Sequence, residues 1–296
     1  MKKVLLLSAL CIPAIFLSYV WHIGAWNLMF PKISYDSVMP ALPKSINQPA
    51  VLVFSKTNQF RHKDSIKSGQ AYFSEFASRK DWGVFLTENG AAFNPETLTN
   101  FDVVVFLNVT GDVLDEAQKE AFQQWFIDGG SWLGIHAAGD GSHIRWDWYM
   151  ENLIGATFTA HTMGPQFQEA VILNEAVAHP VMLDLPKRWI HLEEWYSWDI
   201  SPRQNGFSVF ASIDEESYSP EERVFFGDRD LRMGDHPVVW GRCHGKGRSV
   251  YVAMGHNAEA FESQYIRQLL LNAIDWLASE KVASSDCGPN VGSKDE

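Results

Sequence analysis

Between Ala50 and Ile135 short apolar runs alternate with amphipathic stretches, and that alternation leaves the chain few architectures. Ala50 to Ser55 reads as a buried strand. A polar loop, Lys56 to Asp64, follows it, and Asp64 or Ser65 can cap a helix running to about Arg79. Trp82 to Thr87 and Phe101 to Leu107 read as strands, and Asp115 to Asp128 as a helix with Phe122, Trp125 and Phe126 on one side. Ser131 to Ile135 is another short strand. It is entered through Gly129 and Gly130, which suit the left-handed backbone just past a helix end. Strands alternating with helices in this way predict an α/β fold with a mostly parallel sheet and right-handed crossovers. Ligands of such sheets bind outside the carboxyl ends of the strands. His136 ends the Ser131–Ile135 strand and is followed by small residues and Asp140, where the chain must turn. A titratable ring therefore sits where the fold places its chemistry, although a histidine that only caps the strand would look the same.

After Gly141 the rhythm changes. Trp146 to Ile154 reads as helical, and Phe158 to Leu173 as a loop and strand containing His161. The stretch His179 to Trp195 is irregular and rich in Trp, Pro and acidic residues. Phe207 to Ile213 reads as a strand, and 214–236 as a charged surface insertion. Pro237–Gly241 and Arg248–Met254 form a hairpin, and Ser263–Ala278 an amphipathic closing helix. The domain is thus expected over 50–279, with a polar tail at 280–296. Pro31, Pro40, Pro43 and Pro49 mark 31–49 as a linker or wrapping arm. Upstream, Lys2 and Lys3 precede Val4–Val20, which is apolar apart from Ser8 and Ser18. Residues 1–30 suit a bilayer span of ~20 residues, with the lysines held in the cytoplasm. The expectation is an uncleaved signal anchor in the membrane with the domain on the periplasmic side. The alternative is a cleaved signal peptide and a secreted domain.

Composition narrows the function classes. A formal charge of −12 provides no basic stripe and argues against a nucleic-acid partner. Cys11, Cys243 and Cys287 form no CxxC, so neither a zinc knot nor a dithiol redox centre is expected. Their spacing does not by itself pair Cys243 with Cys287. Twelve Trp and ten His are many for 296 residues. That is a composition of carbohydrate sites, where flat rings cover sugar faces, although most of the tryptophans are expected simply to pack.

A set of ordered fragments carries a resemblance. They are Phe60-Arg61-His62, Gly134-Ile135-His136 with Asp140, His161, His179-Pro180 and Glu193-Glu194-Trp195-Tyr196. Pro237 to Trp240, Gly245 to Arg248, Met254-Gly255-His256 and Ala273 to Trp276 continue the set. In this order and spacing they resemble the ThuA-like, trehalose-utilisation family over roughly 50–279. The resemblance implies a flavodoxin-like fold of the class I glutamine amidotransferase type. Amidotransferases of that fold carry a nucleophilic cysteine at the strand-to-helix elbow. Here His136 stands at the elbow, so thioester chemistry has no nucleophile. The resemblance further implies sugar metabolism, with 3-keto sugars as intermediates. A 3-keto glycoside has an acidic proton at C2, which a base could remove to expel the C1 substituent.

On this reading the catalytic residues are His136 as base, Asp140 to orient it or bind a hydroxyl, and Glu194. Adjacent strand residues face opposite ways, so only one of Glu193 and Glu194 is expected in the site. Backbone N–H groups after His136, if they open a helix, would hold the enolate oxygen. His62, His161, Trp195 and His256 are expected to bind substrate. His179 reads as structural and His244 as exposed. The reaction requires no cofactor. No HxH or HExxH spacing occurs, so a divalent metal, if held, would be gathered by histidines and a carboxylate from distant loops. The alternative to an enzyme is a non-catalytic carbohydrate-binding or sensing module, and a third reading is a partner subunit for an oxidoreductase. The partner expected here is a small sugar. Nothing in the sequence encodes the oligomeric state.

Overall fold

A computed structural model describes residues 15–22, 26–30, 33–224 and 227–279. Among these residues nine strands form one sheet, in the order β2-β1-β3-β4-β13-β12-β9-β6-β7. In the first half, β1 (Ala50–Phe54), β2 (Gly83–Thr87), β3 (Val103–Leu107), β4 (Ser131–Ile135) and β13 (Gly247–Val252) are parallel. β1, β3 and β4 are buried along their whole length, as strands covered on both faces must be. Alternation assigns the faces. Phe106 packs on Phe122 of α2 (Glu116–Ile127), whereas Leu107 lies against Gly69 of α1 (Lys63–Lys80). α3 (Gln264–Ala278) shares the α1 face, where Tyr72 donates to the Arg267 carbonyl at 2.8 Å. Each fully buried Phe in these layers contributes on the order of 2–3 kcal/mol of transfer free energy.

The helix start expected near Asp115 is a reciprocal cap. The Asp115 carboxylate accepts from the Gln118 N–H at 2.9 Å, and the Gln118 side chain accepts from the Asp115 N–H at 3.1 Å. The arm before β1 lies on the parallel half. Tyr35 donates to Asp112 at 2.6 Å, and the Asp36 carboxylate accepts from Lys56 and from the Gly90 N–H.

The second half is antiparallel, running through β12 (Pro237–His244), β9 (Ser208–Ile213), β6 (Phe167–Asn174) and β7 (Arg188–Glu194). β5 (Phe158–His161) pairs with β8 (Tyr196–Trp198) in a small separate sheet. Two expectations are corrected here. The stretch expected to be irregular contains β7, and the charged insertion contains a hairpin of β10 (Glu221–Val224) and β11 (Gly227–Asp230). The expected anchor at 1–30 and tail at 280–296 lie largely outside the described residues. Among the described residues no helix is long and apolar enough to cross a membrane.

The carboxyl ends of β1, β4, β13 and β7 share one edge of the sheet. β7 stands four strand spacings from β13, about 19 Å in a flat sheet. Yet the Gly255 N–H just beyond β13 donates to Glu193 at 2.6 Å. The sheet therefore curls until its antiparallel edge meets the end of its parallel half.

Candidate active site

The residue after β4, His136, is in the left-handed region, φ 47°, and so is the residue after its neighbour β3, Asn108, φ 51°. Such φ values are uncommon for non-glycine residues, and here hydrogen bonds hold both turns. The Tyr251 hydroxyl donates to the His136 carbonyl at 2.6 Å. The Asn108 amide donates to Ser65 at 2.7 Å and to the Gly255 carbonyl at 3.2 Å. Gly255, at φ 126° where a side chain would strain the backbone, turns the chain so that His256 points back toward His136.

Three imidazoles converge. His62 follows β1, His136 follows β4 and His256 follows β13, with ring centroids 4.5–5.0 Å apart. Glu194, the last residue of β7, joins them. Its Oε2 lies 3.0 Å from His256 Nδ1 and 3.6 Å from His136 Nε2. Its Oε1 lies 3.2 Å from His161 Nδ1 and accepts from Gln166. Phe60 flanks His62, Phe167 flanks His256, and Tyr196 lies over His136 with centroids 4.3 Å apart. A cavity of about 240 Å³ opens on His62 and His256, lined also by Phe60, Arg61, Asp64 and Asn257.

Electrostatics follow the burial. Burial alone would raise the Glu194 carboxyl, but hydrogen bonds with His136 and His256 outweigh it and hold Glu194 well below the usual carboxylate range. Burial disfavours charge on His136, but Glu194 and Glu193 more than restore it and raise its pKa. Glu194 favours charge on His62 as well, but too weakly to offset its burial. Burial and the neighbouring His136 and His256 push it well below an ordinary histidine.

The expected residues can now be placed. His62, His136, His161, His256 and Glu194 come together. His136, however, has no exposed surface, and both of its ring nitrogens face protein. Nδ1–H donates to the Ala253 carbonyl at 2.8 Å, and Nε2 faces His256 Nδ1 at 3.1 Å. Asp140 makes no hydrogen bond to His136. It caps its own turn by accepting from the Ser142 N–H at 2.9 Å, and burial raises its carboxyl to about 6. Trp195 is buried, with Nε1–H given to the Gln168 carbonyl at 2.8 Å, so it packs where substrate contact was expected. Residues His136–Gly139 form one 3₁₀ turn, and the Ala137 N–H points at Asn108 Oδ1, 3.3 Å away. That donor is therefore unavailable to an oxyanion.

Two contributors were missed. Glu193 is as buried as Glu194 and binds the loop backbone, accepting from the N–H groups of Gly255 and Glu194. The two carboxylates have different partners, Glu193 the loop backbone and Glu194 the rings, yet both are buried, so both belong to the site. Asn108 could have been found as a residue tolerant of left-handed backbone at the end of an apolar strand.

The model of the family described as "ThuA: Trehalose utilisation" matches residues 50–277. The chain belongs to the ThuA family. A solved ThuA-like protein of Bacteroides uniformis is 26% identical, with a TM-score of 0.67 over 82% of this chain and 96% of that one. A ThuA-like protein of Parabacteroides merdae, 17% identical, shares the fold with a TM-score of 0.59 over 81% and 92%. No curated protein matches. The ThuA match spans β1 through α3, so the histidines, Glu194 and the curled sheet all fall within the family's domain.

Proposed function

We propose that this ThuA-family chain is a carbohydrate-active enzyme that removes the proton beside the ketone of a 3-keto disaccharide or glycoside. One observation carries the reading. The Glu194 carboxylate is buried, and one of its oxygens holds His161, a partly exposed imidazole. His161 Nδ1 lies between two acceptors, Glu194 Oε1 at 3.2 Å and the Thr162 carbonyl at 3.0 Å. It therefore carries the proton, and Nε2 presents its lone pair. A base held by a carboxylate in one tautomer is what proton abstraction needs. His161 takes this role because His136, the base expected from sequence, is sealed beneath the cluster.

In this reaction His161 Nε2 takes the C2 proton, and the C–H electron pair delocalises onto the ketone oxygen as an enolate. The enolate then collapses to expel the C1 oxygen, which takes the proton back from the imidazolium. The product enone is rehydrated by water. Support for a sugar substrate comes from the family match. The binding-module alternative draws little support from the tryptophans, since Trp132, Trp189, Trp195, Trp198, Trp240 and Trp276 are all buried.

The test is to incubate the full chain with 3-keto-trehalose and, separately, with trehalose in deuterated water, following both by NMR. The expected outcome is deuterium at C2 and glucose release from the keto sugar alone, falling by about 100-fold or more in His161→Gln. Both sugars unchanged in the wild type would overturn the reading.

The domain is also proposed to work outside the cytoplasm, held by residues 1–30 or secreted after their cleavage. Cys243 is disulfide-bonded, and disulfides persist in oxidising compartments. Alkylation of protein from freshly lysed cells should leave Cys243 unmodified until a reductant is added. Immediate modification would count against this location.

A further inference from the structure

We propose that His62, His136, His256 and the Glu194 carboxylate form a binding site for a divalent first-row transition-metal ion. One ligand atom from each histidine lies within 4.8 Å of the other two. Three of the four donors already form a compact triangle: His136 Nε2 to His256 Nδ1 is 3.1 Å, His256 Nδ1 to Glu194 Oε2 is 3.0 Å, and His136 Nε2 to Glu194 Oε2 is 3.6 Å. Metal–ligand bonds of ~2.1 Å give donor–donor edges of ~3.0 Å at octahedral and ~3.4 Å at tetrahedral angles. The triangle therefore has the size of one face of a coordination shell.

Hydrogen bonding points the same way. In the neutral ring the Ala253 carbonyl takes the Nδ1 proton of His136, and Nε2 is then a lone pair directed inward, as a metal ligand must be. Metal-binding histidines are oriented by this kind of bond from their second nitrogen to a backbone carbonyl. Two lone-pair atoms, His136 Nε2 and Glu194 Oε2, then face the single Nδ1 of His256. One proton there must be shared between both of them. His62 is only 7% exposed and its Nδ1 is buried with no hydrogen-bond partner. An orphaned buried imidazole nitrogen is costly, and an ion would use a ring that the protein otherwise leaves idle.

Three imidazoles and one carboxylate suit zinc-like ions and reject magnesium, which prefers oxygen ligands and keeps its waters. The cavity at His62 and His256 gives the ion a route to solvent. The donors come from the ends of four separate strands, β1, β4, β13 and β7, so no local sequence spacing encodes them.

The inference rests on the cluster alone and holds whether or not a keto sugar is turned over. The full chain, freed of metal with a chelator, would be titrated with Co²⁺, Zn²⁺ and Mg²⁺. Metal content would be read by elemental analysis and Co²⁺ by its visible absorption. One Co²⁺ per chain is expected, with bands that Zn²⁺ abolishes and Mg²⁺ leaves unchanged. His62→Ala and His256→Ala should each weaken binding by ~10-fold or more, while His244→Ala, on the β12–β13 hairpin, should not. If His256→Ala fails to fold, His62→Ala and the Zn²⁺ competition still decide. Co²⁺ uptake that never saturates at one ion, or identical binding in His62→Ala and wild type, would overturn the proposal.

Discussion

His143 shows what burial alone does to an imidazole in this chain. It lies between Phe106 and Tyr149, its Nε2–H donates to the Val109 carbonyl at 3.1 Å, and burial pushes it from 6.5 down to about 4. His136 is just as enclosed, but neighbouring carboxylates reverse the direction. The depressed value makes a stability prediction. Below about pH 6.5 the unfolded chain takes up a proton at this position, whereas the folded chain resists until about 4. Stability is therefore full above 6.5 and is lost as pH falls through that window, by roughly 3 kcal/mol at most. Urea midpoints measured from pH 7 to 4 should fall less steeply in His143→Gln. Parallel slopes for the two proteins would sink the assignment.

At the scale of elements, the seam between β12 and β13 delivers Gly255 and His256, and it depends on a close approach at Gly241. A Cβ there would sit 2.1 Å from the Ser249 carbonyl oxygen, a backbone atom that cannot swing away. Gly241→Ala is expected to cost about 3 kcal/mol, read as a lower urea midpoint. A loss under about 1 kcal/mol would mean that the two strands separate more easily than their pairing implies. Elements of this half were also the harder ones to read from sequence. Regular packing makes β1, β3, β4 and α2 legible, because continuous apolar runs and a capped amphipathic helix have few other solutions. β7 inverts the usual code. Its buried positions include His191 and Glu193, while Ile190 and Leu192 are 62% and 51% exposed. A strand that turns polar groups inward for a site, and apolar ones outward, does not announce its inner face through hydrophobicity.

Over the whole molecule, the strand-end rule located His136, His62 and His256, since each follows a sheet strand that the sequence showed plainly. Their convergence was not legible, because it depends on the curl that brings β7 over the end of β13. The same curl explains why both Glu193 and Glu194 are used. At the meeting of the two halves there is loop backbone to bind as well as a cluster of rings to face. The three clustered histidines all lie outside residues 158–213, whereas Glu194, His161 and Gln166 all lie inside that one continuous stretch. Recombination between relatives across this stretch would exchange the carboxylate and its attendants in a single piece and leave the three clustered imidazoles in place. Descent could then vary the acid–base half of such a site without rebuilding the half made of imidazoles.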